Sequence, residues 1–296
     1  MALEVRQLHP LFVGEVEGVT LSPDLDDAMI EAIRKVMDEY GVLVFHGQSL
    51  DDDALLAFGR RFGSIAAPRN HRVIRRLAHG EIADISNLDE KGDVRDRSDH
   101  RRLDALANQL WHSDASFRPI AGEYSMLYAH VVPPQGGETE FADLRAAYDD
   151  LADEMKEMIE GLMCEHSIFH SRGLLGHTDY NDAERAALPT VRHPLVRRHP
   201  GSKRKTLYLG AHAQAVVGWP VPEGRLLLHD LMDHATDRRY VHAHQWQVGD
   251  LVIWDNRCTL HRGRRFDDRN HKRDLRRVTT QDMESAANNP ELVDVA

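Results

Sequence analysis

The sequence predicts a mainly β protein, a sandwich or jelly-roll with α-helices packed outside it. Segments carrying the chemistry-bearing residues sit on short apolar strands separated by loops, whereas amphipathic helical patterns crowd the first 60 residues. No regular strand–helix alternation with a Gly-rich first turn occurs, which argues against a doubly wound parallel sheet. A sandwich of this kind keeps a cavity at one mouth, where a site can be built.

Taken in order, residues 24–40 form an amphipathic helix with Met29, Ile30, Ile33, Val36 and Met37 at helical spacing, and Gly41 ends it. Val42-Leu43-Val44-Phe45 follows as a buried strand. A second helix starts near Asp51, with Leu55, Leu56, Phe58 and Phe62 on its apolar side. Asp51 to Asp53 suit the positive end of its dipole. The stretch 64–110 is charged and loop-like, placed either as a lid or as a surface excursion. Tyr124 to Val132 reads as a strand, 144–161 as a helix, Leu195-Val196 and Leu207-Tyr208-Leu209 as strands, and 223–236 as a helix. Gln247-Val248-Gly249-Asp250 turns tightly into the strand Leu251 to Trp254. No repeat or low-complexity linker marks a boundary, so 1–296 is read as a single domain.

Composition narrows the function classes. The chain carries a net charge of −11, so its field does not suit tracking of nucleic acid, despite an arginine-dense run from Arg262 to Arg277. Cys164 and Cys258 are too few for a disulfide framework or a zinc site. The start lacks the apolar run of a signal peptide, and no stretch is long enough for a membrane span. A soluble cytoplasmic protein without nucleic-acid or membrane partners is expected, and nothing in the chain argues against a homo-oligomer.

Two distant stretches point to chemistry: Trp111-His112-Ser113-Asp114, and Trp254-Asp255-Asn256-Arg257-Cys258-Thr259-Leu260-His261-Arg262. Together they offer two imidazoles and a carboxylate, which can occupy one face of an octahedral iron(II) and leave three positions open. His112 and Asp114 are two residues apart, so on a strand or at its end they project to one side. With 19 histidines in the chain, about two His-x-Asp triplets are expected by chance. The second, His177/Asp179, lies in a polar turn with no adjoining strand and is taken as the decoy. Further on, Arg273, Leu275 and Arg277 share one face of a strand. Two inward guanidiniums need anionic partners, and their planar forks suit ligand carboxylates. The alternative is a solvated, arginine-rich edge strand.

The collinear stretches Asn108 to Phe117, Gly136 to Tyr148, Leu209 to Ala213, Val221 to Arg225 and Gly249 to Arg257 carry a resemblance to the taurine dioxygenase family of iron(II)- and 2-oxoglutarate-dependent oxygenases. The likeness runs from Leu8 to about Asp282 and is nearest to the phenoxyacetate-cleaving members. It implies a double-stranded β-helix with Fe(II) held by His112, Asp114 and His261, and with 2-oxoglutarate and O2 as co-substrates. It further implies that Thr139 and Arg273 bind the distal carboxylate of 2-oxoglutarate. Arg277 and the Ser116 amide would take the acidic group of a small carboxylate substrate, with His199 and His212 nearby. The substrate implied is a phenoxyacetate such as 2,4-dichlorophenoxyacetate, cleaved to a phenol and glyoxylate. A sulfonate- or alkyl-sulfate-cleaving enzyme and a barrel without catalysis remain as alternatives. A substrate-binding lysine of the phenoxyacetate branch has no counterpart here, and Arg69 or Arg72 is the candidate replacement.

Overall fold

The computed structural model describes residues 3–66 and 76–288; Arg69 and Arg72 lie outside the described residues. A seven-stranded sheet forms the frame. From edge to edge it runs Glu4–Gln7, Gly14–Glu17, Val42–Phe45, Leu251–Asp255, Gly122–Val131, Asp274–Gln281 and Ala83–Ser86. Its neighbours are antiparallel except Gly14–Glu17 with Val42–Phe45, which are parallel. A three-stranded sheet of Val241–His244, Thr139–Asp143 and Thr259–Gly263 accompanies it.

Period-two alternation explains why the central strands are apolar throughout. Val42, Val44, Leu127, Ala129, Val252, Trp254 and Leu275 form one cluster with Phe141 of the small sheet. The intervening residues Leu43, Phe45, Met126, Tyr128, Leu251 and Ile253 join a cluster with Ile30, Ile33 and Met37 of the helix Asp27–Tyr40 and Leu55, Leu56 and Phe58 of the helix Asp52–Arg60. Asp26 caps the first helix by accepting from Met29 N at 2.7 Å, and Gly41 closes it in the left-handed region at φ 73°. A third cluster unites Ala142 and Leu260 of the small sheet with Leu227, Leu228 and Leu231 of the helix Val221–Ala235. The layers are therefore helices, large sheet, small sheet and helices.

Several expectations are refined. The helix expected over 144–161 is two helices, Leu144–Asp149 and Asp153–Ile159. The Tyr240 hydroxyl donates to Asp150 at 2.8 Å and Leu151 turns inward, which ends the first helix there. The stretch read as a loop, 64–110, holds the edge strand Ala83–Ser86 and the helix His100–Ala105. That strand has no apolar run because its Asp84 is bound by Arg76, which also binds Asp274. The first 60 residues also contribute the two strands at the opposite edge. Leu195 lies between the strands Val191–Pro194 and Val196–Arg198 rather than within one. No helix among the described residues is long and apolar enough to cross a membrane.

Candidate active site

The site is assembled by one backbone clasp. His112 N donates to His261 O at 3.0 Å and His261 N donates to His112 O at 2.9 Å, an isolated antiparallel bridge. This brings the two rings to a centroid separation of 4.2 Å. His261 rides on the small-sheet strand opposite Phe141. His112 is held only at the bridge, and the chain then turns through Asp114 to Ala115, whose φ is 58°. The expected strand geometry thus holds only at its end.

The tautomers follow from the hydrogen bonds. His112 Nδ1 lies 2.7 Å from Leu110 O, so it carries the proton and Nε2 keeps its lone pair. That Nε2 is 3.9 Å from one oxygen of Asp114, and His261 Nε2 is 3.6 Å from the other. Ligand atoms of His112, Asp114 and His261 lie within 4.8 Å of one another, and all three residues are buried. Burial lowers the pKa of both imidazoles, His261 the further, which keeps them neutral and able to donate lone pairs. Burial works against charge on Asp114, but Arg277, His261, His112 and a hydrogen bond from Ser125 outweigh it and hold its carboxyl below the usual range. Two neutral imidazoles and an ionised carboxylate converging in a sealed corner fit a divalent metal.

The same cavity, about 140 Å³, is lined by His112, His261, Thr139, Trp254, Arg273 and Arg277. Arg277 Nη1 sits 2.6 Å from Asp114 Oδ1. Arg273 is different, because no carboxylate among the described residues pairs with it. Its Nη2 donates to Gly137 O at 3.2 Å, while its Nε is sealed from solvent without a partner. The residue keeps some exposed surface, yet burial pushes the guanidinium down to about 10. Other enclosed arginines carry their own anions: Arg276 has Asp52 and Asp274, Arg145 has Asp143, and Arg257 has Asp255. An enclosed cation without its counter-ion calls for a ligand anion. Arg273 and Arg277 flank buried Leu275 on one face, and Asp274 and Arg276 pair with each other on the other, as the strand parity predicts.

The remaining candidates separate. Thr139 lines the cavity and accepts from Trp246 Nε1 at 3.0 Å. His212 stands beside the triad, its ring 6.0 Å from that of His112 and 4.9 Å from Phe117. Ser116 is buried with its hydroxyl 3.2 Å from His166 Nδ1 and is not in the cavity wall. His199 is not in that wall either. Its Nε2 lies 2.9 Å from Asp255 and its Nδ1 lies 3.1 Å from the Ser202 hydroxyl, to which the charged ring can donate. Burial opposes its charge, but Cys258 and Asp255 outweigh burial and lift it to about 10. His199, Asp255 and Cys258 form a second compact group of ligand-type residues. Both His199 nitrogens are committed and Asp255 is held by Arg257, so that group is a buried ion pair rather than a metal seat. His177, whose ring is 6.0 Å from that of His100, belongs to no such group among the described residues.

Three contributors escape the sequence reading. Asn87 Oδ1 accepts from Arg273 N at 2.8 Å and anchors the start of that strand. Ser125 and Asn256 bond Asp114 directly. Asn256 stands inside the stretch that carries His261, so its position is visible; Ser125 carries no signal beyond being a small polar residue between Tyr124 and Met126. A larger open cleft of about 380 Å³, lined by Phe169, Tyr180 and Arg185, shares no residue with the triad.

A small polar cluster near Ser116 gives a pH prediction. Burial lowers the pKa of His193 to about 4 and that of neighbouring His166 well below its usual value. The unfolded chain binds protons at pH values where these folded imidazoles stay neutral, so stability falls as pH drops from about 6.5 to 4. His193 alone should account for ~3 kcal/mol of that loss. Urea unfolding at pH 7 and pH 4.5 will show a smaller difference for His193→Phe than for the unaltered protein.

A layered β protein with two imidazoles and a carboxylate beside an uncompensated guanidinium defines a metal- and anion-binding class of site. The sequence profile of the taurine catabolism dioxygenase TauD, TfdA family matches residues 4–279, and the chain belongs to that family. It is 50% identical over 284 residues to the alpha-ketoglutarate-dependent 2,4-dichlorophenoxyacetate dioxygenase of Cupriavidus pinatubonensis (strain JMP 134 / LMG 1197), covering 95% of this chain and 99% of the relative. To the protein of the same description from Burkholderia sp. (strain RASC) it is 48% identical, covering 95% of each. The crystal structure of AAD-2 in complex with Mn(II) and N-oxalylglycine superposes with a TM-score of 0.91 at 47% identity, covering 95% of this chain and 98% of that one.

Proposed function

We propose that this protein is an Fe(II)- and 2-oxoglutarate-dependent dioxygenase that hydroxylates the methylene of a phenoxyacetate, 2,4-dichlorophenoxyacetate being the first substrate to test. The observation that carries the reading is the enclosed Arg273 guanidinium, without a carboxylate partner among the described residues, in the same cavity as His112 and His261. A metal site alone does not require such a cation; a dicarboxylate co-substrate does. The facing sheets, packed through Phe141 and Trp254, support a double-stranded β-helix, and residues 1–296 are read as one domain.

In this reading His112, Asp114 and His261 hold the iron, which when bound supplies oxidation of a C–H bond by O2 coupled to conversion of 2-oxoglutarate to succinate and CO2. Arg273 takes the distal carboxylate of 2-oxoglutarate through its free N–H groups, and Thr139 offers its hydroxyl beside it. This fixes the far end of the co-substrate and so sets the angle at which its other end reaches the triad. Arg277, anchored on Asp114 and lining the cavity, takes a substrate carboxylate, whereas Ser116, set behind the cavity wall, is not assigned to substrate contact. His212 borders the same space, and His199 is assigned to the Asp255 ion pair rather than to substrate contact. Hydroxylation between the ether oxygen and the carboxylate gives a hemiacetal, which collapses to a phenol and glyoxylate.

The test is phenol and succinate release with phenoxyacetates and taurine side by side at saturating 2-oxoglutarate. Phenol equal to succinate supports the reading. Taurine turnover with no phenol overturns the substrate and favours a sulfonate. Arg277→Ala should cut phenoxyacetate turnover by more than about tenfold, since losing a charge-assisted contact costs roughly 1.5–3 kcal/mol. Slow 2-oxoglutarate decarboxylation without phenol should persist, and comparing succinate with phenol yields measures that uncoupling.

A further inference from the structure

Asp114 lies just past the His112 bridge, and although its O accepts from Gly122 N at 3.3 Å, no strand partner receives its N–H. Asn256 takes that place. Its Oδ1 accepts from Asp114 N at 2.9 Å and from Trp254 Nε1 at 3.0 Å. Its Nδ2 donates to Glu123 O at 3.1 Å and to Ser125 Oγ at 3.0 Å. Both of the first pair are N–H donors, so the amide cannot be turned the other way, and its hydrogen-bonding capacity is used in full. Ser125 Oγ therefore accepts from Asn256 and has its single hydrogen left for Asp114 Oδ2, 2.7 Å away. Thr279 Oγ1, 2.9 Å from Ser125, can donate to the remaining lone pair. Asn256 and Ser125 are fully buried, so water does not substitute for either. Gly122 leaves room for this approach: a Cβ there would lie 2.7 Å from Asp114 O and 3.4 Å from Asn256 Nδ2.

We propose that Asn256 is a positioning residue which, through Ser125, orients the Asp114 carboxylate for the metal. One amide holds the Asp114 main chain and also dictates the direction of the hydroxyl that holds its side chain. Outer partners of this kind commonly alter metal affinity by about 10- to 100-fold when removed. Asn256→Asp keeps the shape and the acceptor for Asp114 N, but replaces the donor to Ser125 by an acceptor. The Ser125 hydrogen is then drawn to the introduced carboxylate and away from Asp114. Ser125→Ala removes the hydroxyl itself.

The experiment is Mn(II) titration of the metal-free protein, read from the EPR signal of free Mn(II), with thermal unfolding of each metal-free variant alongside. Each single variant should weaken Mn(II) about 10- to 100-fold, and the double variant should be no worse than the weaker single, because both break one relay. Parental Mn(II) affinity in folded Asn256→Asp and Ser125→Ala overturns the proposal, as do effects that multiply in the double variant. A fall in thermal midpoint without a change in affinity also overturns it, since that is a structural role only. If Asn256→Asp does not fold, Ser125→Ala decides alone by the same affinity criterion. The inference rests on the metal reading above, and His112→Ala separates the two failures. Parental Mn(II) binding by His112→Ala removes the ligand set and the proposal together. Loss there with parental affinity in both relay variants removes only the role of Asn256.

Discussion

Replacing any one of His112, Asp114 or His261 by alanine should abolish turnover and weaken metal binding by more than the roughly 10- to 100-fold that loss of an outer partner causes. Each residue contributes one ligand atom to a set whose members lie within 4.8 Å of one another, and no fourth candidate among the described residues accompanies them in that group. The three losses differ in cause. His112→Ala and His261→Ala each remove a neutral lone pair that burial keeps unprotonated. Asp114→Ala removes the charge and leaves Arg277 facing the cation, where it now repels. Asp114→Ala should therefore bind metal worst. His177→Ala is the control, because that residue lies against His100 and outside the cavity wall, and its activity should match the unaltered protein. Metal content by atomic absorption, measured with succinate formation, checks all four. A His177→Ala protein as inactive as His112→Ala would remove the assignment.

Arg273→Ala should raise the Michaelis constant for 2-oxoglutarate by tens- to thousands-fold. Truncating one partner of a desolvated charge pair costs roughly 2–5 kcal/mol, and every ~1.4 kcal/mol is tenfold. Arg265→Ala should change it little, since the Arg265 side chain is exposed and does not itself line the cavity, although it bonds the cavity-lining Gln109 at 3.3 Å. Equal effects at both positions would indicate a diffuse basic patch. A second consequence has the opposite sign. Without co-substrate the enclosed guanidinium has no counter-ion among the described residues, so Arg273→Met should raise the thermal midpoint of the ligand-free protein while it damages 2-oxoglutarate affinity. Thermal unfolding with and without 2-oxoglutarate reads both effects: the co-substrate should stabilise the unaltered protein and leave Arg273→Met nearly unmoved.

Much of the frame is legible in the chain. Val42 to Phe45, Leu251 to Trp254 and the helices ending at Gly41 and starting at Asp51 announce themselves by apolar runs, period and caps. The edge strand Ala83–Ser86 does not, because ion pairing rather than apolar burial holds it. Strands of the small sheet are hidden where both faces are mixed, as in Thr139–Asp143: Phe141 faces Trp254 while Glu140 is buried against Arg262. Alternation of that kind looks polar in sequence, although every residue of the strand is buried.

By itself the sequence determined what is local or periodic: an imidazole and a carboxylate two residues apart in His112-Ser113-Asp114, and the parity that puts Arg273 and Arg277 on one face about Leu275. Those depend on spacing along the chain and on the two-residue repeat of a strand. Tertiary structure alone decided which charges are compensated. Arg276 meets Asp274 by strand parity and Asp52 from a distant helix, while Arg273 meets only a carbonyl; that no other segment brings a carboxylate to Arg273 among the described residues is decided in space. The same holds for His199, whose partner Asp255 and depth of burial come from a distant strand, and for Asn256, whose amide matters because Asp114 and Ser125 arrive beside it. Desolvation and hydrogen-bond partnership are set by neighbours in space, so a site's electrostatics appear only once the chain has closed on itself.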